Sequence, residues 1–372
     1  MSLQKNTGAV RRFAWLMKFA AWLHTIPHAL TPAPFRLMQI GSAFWQSRAL
    51  YVAAQLDIAT QLGDSAQHSS DLAAQLQLDA DALGRLLRLL AAIGVFQETK
   101  PMVFANNNVS ACLRSDHPKS VRAMILLHNA DAMSRPWFEH LEHGVRTGQS
   151  PFVCGHGETL FSYLDHHPQF DQLFSTAMDC VEALAGDSFA TDFDWRQFDR
   201  LLDIGGSRGS KAHTILTRHP HLRALVVDRP PVIAEALEYW AAHPDAICAR
   251  MAFEACDILD TMPLAHNSRD IYFLSAILHG FDDAHCLRIL HKLAKACRHS
   301  GARVVLLEMV LPEKGADQTQ AAFDMQMFMG GSGRERTLTE WQALFAQSGM
   351  TLSDDVRLRS FAHMLVLRPT QQ

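Results

Sequence analysis

Leu201-Leu202-Asp203-Ile204-Gly205-Gly206-Ser207-Arg208-Gly209 reads as a buried strand that stops in a glycine-rich turn. Apolar residues carry the strand up to Asp203. The glycines then let the backbone turn tightly and approach a ligand with no Cβ in the way. A helix from Ser210 to about Arg218 is predicted to follow. Strand, glycine turn and helix together form the nucleotide-binding corner of an open α/β sheet.

Downstream of this corner, strand and helix alternate regularly. Strands are predicted at Ala224–Val227, Arg250–Phe253, Ile271–Leu274 and Val304–Leu307, and helices at 231–242, 283–298 and 338–348. Asp355–Leu358 and Met364–Leu367 are short enough to close the sheet as an antiparallel pair. The pattern is a doubly wound sheet with a hairpin finish.

Upstream, Thr31-Pro32-Ala33-Pro34 is a break, and residues 38–63 place Met38, Phe44, Leu50, Ala53, Ala54 and Ile58 at helical spacing. Ser69-Ser70-Asp71 offers a cap for a helix at Leu72–Leu76, and Asp79-Ala80-Asp81 for one running through Leu83, Leu86, Leu87, Leu89, Leu90 and Ile93 to Gly94. Val95–Thr99 and Met102–Phe104 read as a hairpin around Lys100-Pro101. Three helices and a two-stranded wing make a winged-helix pattern. Between Ser42 and Ala105 there are six acidic and four basic residues, and the third helix is mostly leucine. That is a packing face rather than a groove-reading one, so an interface role is expected ahead of DNA binding. Residues 120–190 are helical, with Gly144, Gly148, Pro151, Gly155 and Gly157 breaking them into loops.

The formal charge of −4 gives no basic footprint for nucleic acid. Seven cysteines are scattered without a C-x-x-C pair, which points to reduced thiols and a cytoplasmic protein. Twenty histidines include no H-E-x-x-H, so no metal is expected. Lys5, Arg11, Arg12 and Lys18 accompany Phe13, Trp15, Leu16, Phe19, Trp22 and Leu23 at the start of the chain. The run is too short to span a bilayer. It reads as an amphipathic helix packing on a neighbouring domain or subunit, with peripheral membrane contact as the other reading.

The ligand follows from the aspartates. Asp228 ends the second strand, nineteen residues past Gly209, where a carboxylate accepts ribose hydroxyls. Asp257 follows the third strand and could reach an adenine edge. A dinucleotide needs its pyrophosphate at the helix N-terminus, and Asp203 before the turn would repel it. Asp203 suits an ammonium group instead, which favours S-adenosylmethionine. Each aspartate alone reads equally well as a helix cap or turn residue.

Leu202-Asp203-Ile204-Gly205-Gly206 through Gly209, Val227-Asp228-Arg229-Pro230, Asp257, and Ile277-Leu278-His279-Gly280-Phe281-Asp282-Asp283 together give a family resemblance. The chain resembles the S-adenosylmethionine-dependent O-methyltransferases of the plant caffeate/acetylserotonin type, with bacterial relatives acting on small aromatic and polyketide metabolites. The resemblance runs from about Thr31 to the C-terminus. It implies a Rossmann-like class I methyltransferase domain behind an N-terminal all-helical winged-helix dimerisation domain, hence a homodimer. The expected divisions are 1–30 for the extension, 31–150 for dimerisation and 151–372 for catalysis.

Methyl transfer to a hydroxyl needs the acceptor oxygen held about 3 Å away, in line with the methyl–sulfur bond, and its proton removed. By resemblance His279 is the base, steered by Glu308 and Glu335. Taken alone, His279 before a Gly-Phe turn reads as structural, and Glu335 as a surface partner of Arg334 or Arg336. The cofactor would be held by Asp203, Gly205, Gly206, Gly209, Asp228, Asp257, Ile258 and Ser275. Phe174, Met178, Met325, Phe328 and Met329 would line an apolar acceptor slot, with Met327 equally a core residue. The segment Phe35–Phe44 of a partner subunit would close that slot. Two positions depart from the family. Gly280 stands where Asp usually follows the histidine, and Ser207 stands where a third glycine is common and would require a negative φ. The alternatives are a non-methylating enzyme of the same fold and a ligand-sensing winged-helix regulator.

Overall fold

The computed structural model describes residues 3–370. Two compact units share the chain: Met1–Trp22, Gly148–Pro151 and Ala185–Gln372 in one, Leu23–Thr147 and Phe152–Leu184 in the other. This differs from the divisions at 30 and 150. The helices beyond Phe152 fold with those before Thr147: His156 Nε2 meets the Ala132 carbonyl at 2.8 Å, and Gly155 lies against Pro136.

The helix-rich unit has a winged-helix centre. A small antiparallel sheet orders β1 (Gln67–His68), β3 (Val103–Asn106) and β2 (Phe96–Lys100). The wing is where the sequence placed it; β1 is an added strand, so this part is not all-helical. Helix Ala80–Ala92 buries Leu83, Leu87 and Leu90, and Asp79 caps it by accepting the Ala82 N–H at 2.8 Å. The preceding helix, Ser69–Leu76, starts earlier than expected. Its cap is the His68 ring, which accepts the Ser70 N–H, while Ser69 is buried in packing. Of the expected loop glycines, Gly148 and Gly157 have left-handed φ of +78° and +75°, suited to helix ends. Gly144 and Gly155 instead lie within helices Asp131–Thr147 and Pro151–His156. The first thirty residues contain one long helix, Thr7–Leu30, on which Trp15, Phe19 and Trp22 stack in succession and remain exposed.

In the other unit the sheet carries eight strands. Five are parallel along the order β8-β7-β4-β5-β6, formed by β4 (Arg200–Ile204), β5 (Arg223–Asp228), β6 (Met251–Ala255), β7 (Asp270–Ser275) and β8 (Arg303–Leu311). The short β9 (Arg336–Thr337) pairs with the end of β8. The finishing hairpin, β10 (Met350–Arg357) and β11 (Ala362–Pro369), is longer than predicted and joins antiparallel to β8. The central strands are covered on both faces, which is why they read as unbroken apolar runs. Leu202, Ile204, Val227, Tyr272, Leu274 and Leu306 pack into one core, and Leu201, Val226, Ile271, Phe273 and Val305 into the other. The β4 helix spans Ser210–Arg218 as predicted. Among the described residues no helix is long and apolar enough to cross a membrane, and no cluster of His, Cys, Asp or Glu is placed to hold a metal.

Candidate active site

The turn after β4 is tied to its neighbour strand. The N–H groups of Gly205 and Gly206 both donate to the Val227 carbonyl, at 2.8 and 3.2 Å. Gly205 and Gly209 are left-handed, at φ +72° and +79°. At Gly206 the constraint is space: a Cβ would lie 2.7 Å from the Asp203 carboxylate. Ser207 departs from expectation. Its φ is +52°, not negative, which costs an L-residue about 1 kcal/mol. Its N–H donates to Asp228 Oδ2 at 2.9 Å, and this bond holds the residue there.

The aspartates differ in their surroundings. Asp203 is buried at the end of β4, against Gly206. Asp228 also accepts the Arg229 N–H, at Oδ1 and 2.8 Å. Each oxygen keeps a lone pair for a ribose hydroxyl, so the residue fits the sugar of an adenosyl group. Asp257 is exposed, and its Oδ1 closes a local turn by accepting the Leu259 N–H at 2.8 Å. Only its other oxygen faces no such duty. Ile258 is half-buried against the core, and Ser275 ends β7.

His279 sits on a single helical turn, Leu278–Gly280, that follows β7. Its Nδ1 and Glu335 Oε1 are 2.7 Å apart, with the His side chain 20% exposed and the Glu side chain 1%. Burial opposes charge on the ring. The Glu335 hydrogen bond, with the charges of Glu308 and Glu335, outweighs it and holds the His279 pKa above its ordinary value. The surface-pair reading of Glu335 is therefore set aside: Arg334 pairs with Glu340 and Arg336 with Asp283. Glu308 does not hydrogen-bond the ring. It is buried within β8, where Oε1 accepts the Ile277 and Leu278 N–H groups at 3.1 and 2.9 Å. Its Oε2 is buried with no hydrogen-bond partner among the described residues, and burial pushes its carboxyl up to about 7.

Three further residues hold this turn, and sequence reasoning missed their roles. Arg336 is fully buried, lies over the Trp341 ring, and donates to the Leu278 and Phe281 carbonyls at 3.2 and 2.9 Å. Asp324 accepts the Glu335 N–H at 2.9 Å. Gly333 lies flat on the His279–Gly280 peptide, where a Cβ would stand 2.1 Å from the His279 oxygen. At Gly280 a Cβ would meet nothing within 4 Å. Gly280 therefore leaves open space beside the base.

The proposed slot residues fall in different units. Phe174 and Met178 are half-buried on helix Pro168–Ala185 of the helix-rich unit. Met325, Phe328 and Met329 lie on helix Gln318–Gly330 of the sheet unit, with Met325 exposed and Met329 buried. Ser150 Oγ donates to the Met329 carbonyl at 2.8 Å and ties that helix to the segment beside it.

A Rossmann-like sheet, a glycine turn packed against the buried Asp203 carboxylate, and a buried imidazole–carboxylate pair lie together in the sheet unit. The family model of the O-methyltransferase domain matches residues 138–351, and that of the O-methyltransferase dimerisation domain matches residues 38–116. The chain belongs to the O-methyltransferase family and is a methyltransferase. It is 31% identical to phenazine O-methyltransferase PhzM of Lysobacter antibioticus over 333 residues, 90% of this chain and 95% of that one. It is 30% identical to the 8-amino-8-demethylriboflavin N,N-dimethyltransferase of Streptomyces davaonensis, across 87% and 92% of the two chains. The SAH-bound crystal structure of CalO1, a methyltransferase in calicheamicin biosynthesis, matches with a TM-score of 0.78 at 28% identity, covering 91% and 98%. Use of S-adenosylmethionine is expected from the family.

Proposed function

We propose that this chain methylates a hydroxyl group of a small aromatic metabolite, with S-adenosylmethionine as donor and His279 as base. The hydrogen bond between His279 Nδ1 and Glu335 carries the reading. It fixes the proton on Nδ1 and leaves Nε2 to take the acceptor's proton. Asp203, the Gly205–Gly209 turn and Asp228 would hold the donor, with Asp257, Ile258 and Ser275 around its base. When bound, the donor supplies an electrophilic methyl on a good leaving group. The chain's own contribution is then to orient the hydroxyl, exclude water and accept one proton at Nε2. Glu335 stabilises the imidazolium so formed. Glu308 acts through the backbone, holding the turn that carries the ring. Met325, Phe328 and Met329 are assigned to the acceptor's apolar surroundings.

We further assign a homodimer through the helix-rich unit. Helix Ala33–Gly41 has no buried residue, and Phe35, Leu37, Met38, Ile40, Phe44 and Trp45 are all exposed. An apolar surface of this kind needs a partner.

The test is a metabolite screen with methyl-labelled donor, followed by H279A on any phenol accepted. The expected outcome is labelled ether, with turnover lost in H279A and donor binding kept. Donor that binds without ever labelling a product would support the non-methylating alternative. Full turnover of the phenol in H279A would remove His279 as the base, and a labelled amine in place of an ether would move the acceptor from hydroxyl to nitrogen. Salt-resistant duplex binding would support the regulator reading.

A further inference from the structure

The parallel strands put the candidate active site at their carboxyl ends, and a second cavity opens at the opposite edge of the same unit. It is an open cleft of about 910 Å³ where β4, β7 and β8 begin and β11 ends. Arg196, Arg269, Arg298, Arg303 and Arg368 all line it. Arg196 and Arg269 are neutralised by Asp194 and Asp199. Arg298, Arg303 and Arg368 have no carboxylate within ion-pair distance among the described residues. In a chain with a formal charge of −4, three guanidinium groups without an ion pair around one cleft concentrate positive charge there.

Arg303 is the central member. It lies over the Phe198 ring and donates to Gln197 Oε1 at 3.3 Å. Burial, then the neighbouring Arg368, disfavour its charge; Asp354 favours it less strongly, and the pKa is lowered. Gln197 lines the same cavity, and its amide nitrogen has no hydrogen-bond partner among the described residues. The site holds repelling cations and a spare donor. An anion would relieve the first and satisfy the second.

We propose that this cavity binds a small multivalent oxyanion of the oligophosphate type, apart from the donor and acceptor sites. Planar guanidinium forks match phosphate oxygens two at a time, and several forks around one cavity favour more than one phosphate group. The chemistry shared with polycarboxylates is separated by the choice of probe.

The experiment is titration calorimetry of the full chain at low ionic strength, with pyrophosphate and with citrate as probes. One saturable pyrophosphate site is expected, weakening as salt rises and unaffected by saturating S-adenosylmethionine. R298A/R368A changes two exposed side chains and is expected to weaken binding at least tenfold while leaving thermal unfolding unchanged. R303A is expected to weaken it further. Absence of saturable binding, equal binding in R298A/R368A, or displacement by the methyl donor would each overturn the proposal. Tighter binding of citrate than of pyrophosphate would overturn its assignment to oligophosphate.

Discussion

Gly333→Ala is the sharpest perturbation of the candidate site. The added Cβ would stand 2.1 Å from the His279 carbonyl oxygen, 2.6 Å from the Gly280 carbonyl carbon and 2.7 Å from the Gly280 Cα. Ordinary contact begins near 3.4 Å, so two backbone segments must separate by about 1.3 Å. None of the clashing atoms belongs to a side chain that could rotate away. Gly333 does not have a left-handed φ, so the effect is one of space alone. Overpacking of this kind costs about 1–3 kcal/mol. The separation also draws Glu335 away from His279, and misplacing a reacting group by about 1 Å can cost about 10²-fold in rate. G333A is therefore expected to lose about 10²-fold in kcat, with a lower Tm and donor binding within a few-fold of the parent. Gly280→Ala is the control. It touches the same peptide, but its Cβ enters open space, so fold and donor binding should be unchanged. The assays are initial-rate methyl transfer, thermal unfolding and donor calorimetry. G333A with full turnover and an unchanged Tm would refute the reasoning.

Three more outcomes follow from the same geometry. Glu335→Gln removes the anion that offsets burial at His279. The base works only when neutral, so its raised pKa sets the acidic limb of kcat/KM. E335Q should move that limb to lower pH while cutting the plateau about 10²–10⁴-fold; a limb that stays put would count against His279 as the titrating base. Ser207→Gly relieves a left-handed φ and should stabilise the chain by about 0.5–1 kcal/mol, read as a higher Tm. Arg336→Met leaves the Leu278 and Phe281 carbonyls without their donor. It should cost about 2–5 kcal/mol and lower kcat more than it raises KM, and a fully stable variant would exclude Arg336 as a clamp on the turn.

The parallel sheet was legible because its strands are buried on both faces, so Leu201–Ile204 and Ile271–Leu274 stand out as apolar runs between turn residues. The glycine turn was legible for the same reason, since a strand that stops at glycines marks itself. The left-handed φ of Ser207 was not, because a hydrogen bond from outside the turn holds it there. Arg334-Glu335-Arg336 looks like a solvated charge run. Only tertiary packing puts the outer Arg on the surface, buries the other and points Glu between them at a histidine 56 positions away. Gly333 carried no local signal at all, because the peptide that excludes its Cβ lies over fifty residues earlier. The grouping of residues 152–184 with the N-terminal helices was hidden likewise, since Gly148 and Pro151 resemble a domain boundary.

Ile277 joins the two halves of this site. Its side chain fills the space over Gly205 that a Cβ would take, and its N–H is held by Glu308. Occupancy of the glycine turn and the proton state of the Glu308–His279 pair therefore bear on one residue. Two equilibria that share a mechanical element are thermodynamically linked, and the linkage is reciprocal. If donor binding shifts the proton affinity of the pair, then pH must shift donor affinity by the same factor. Shortening the shared side chain, as in I277V, should uncouple the two before it abolishes either.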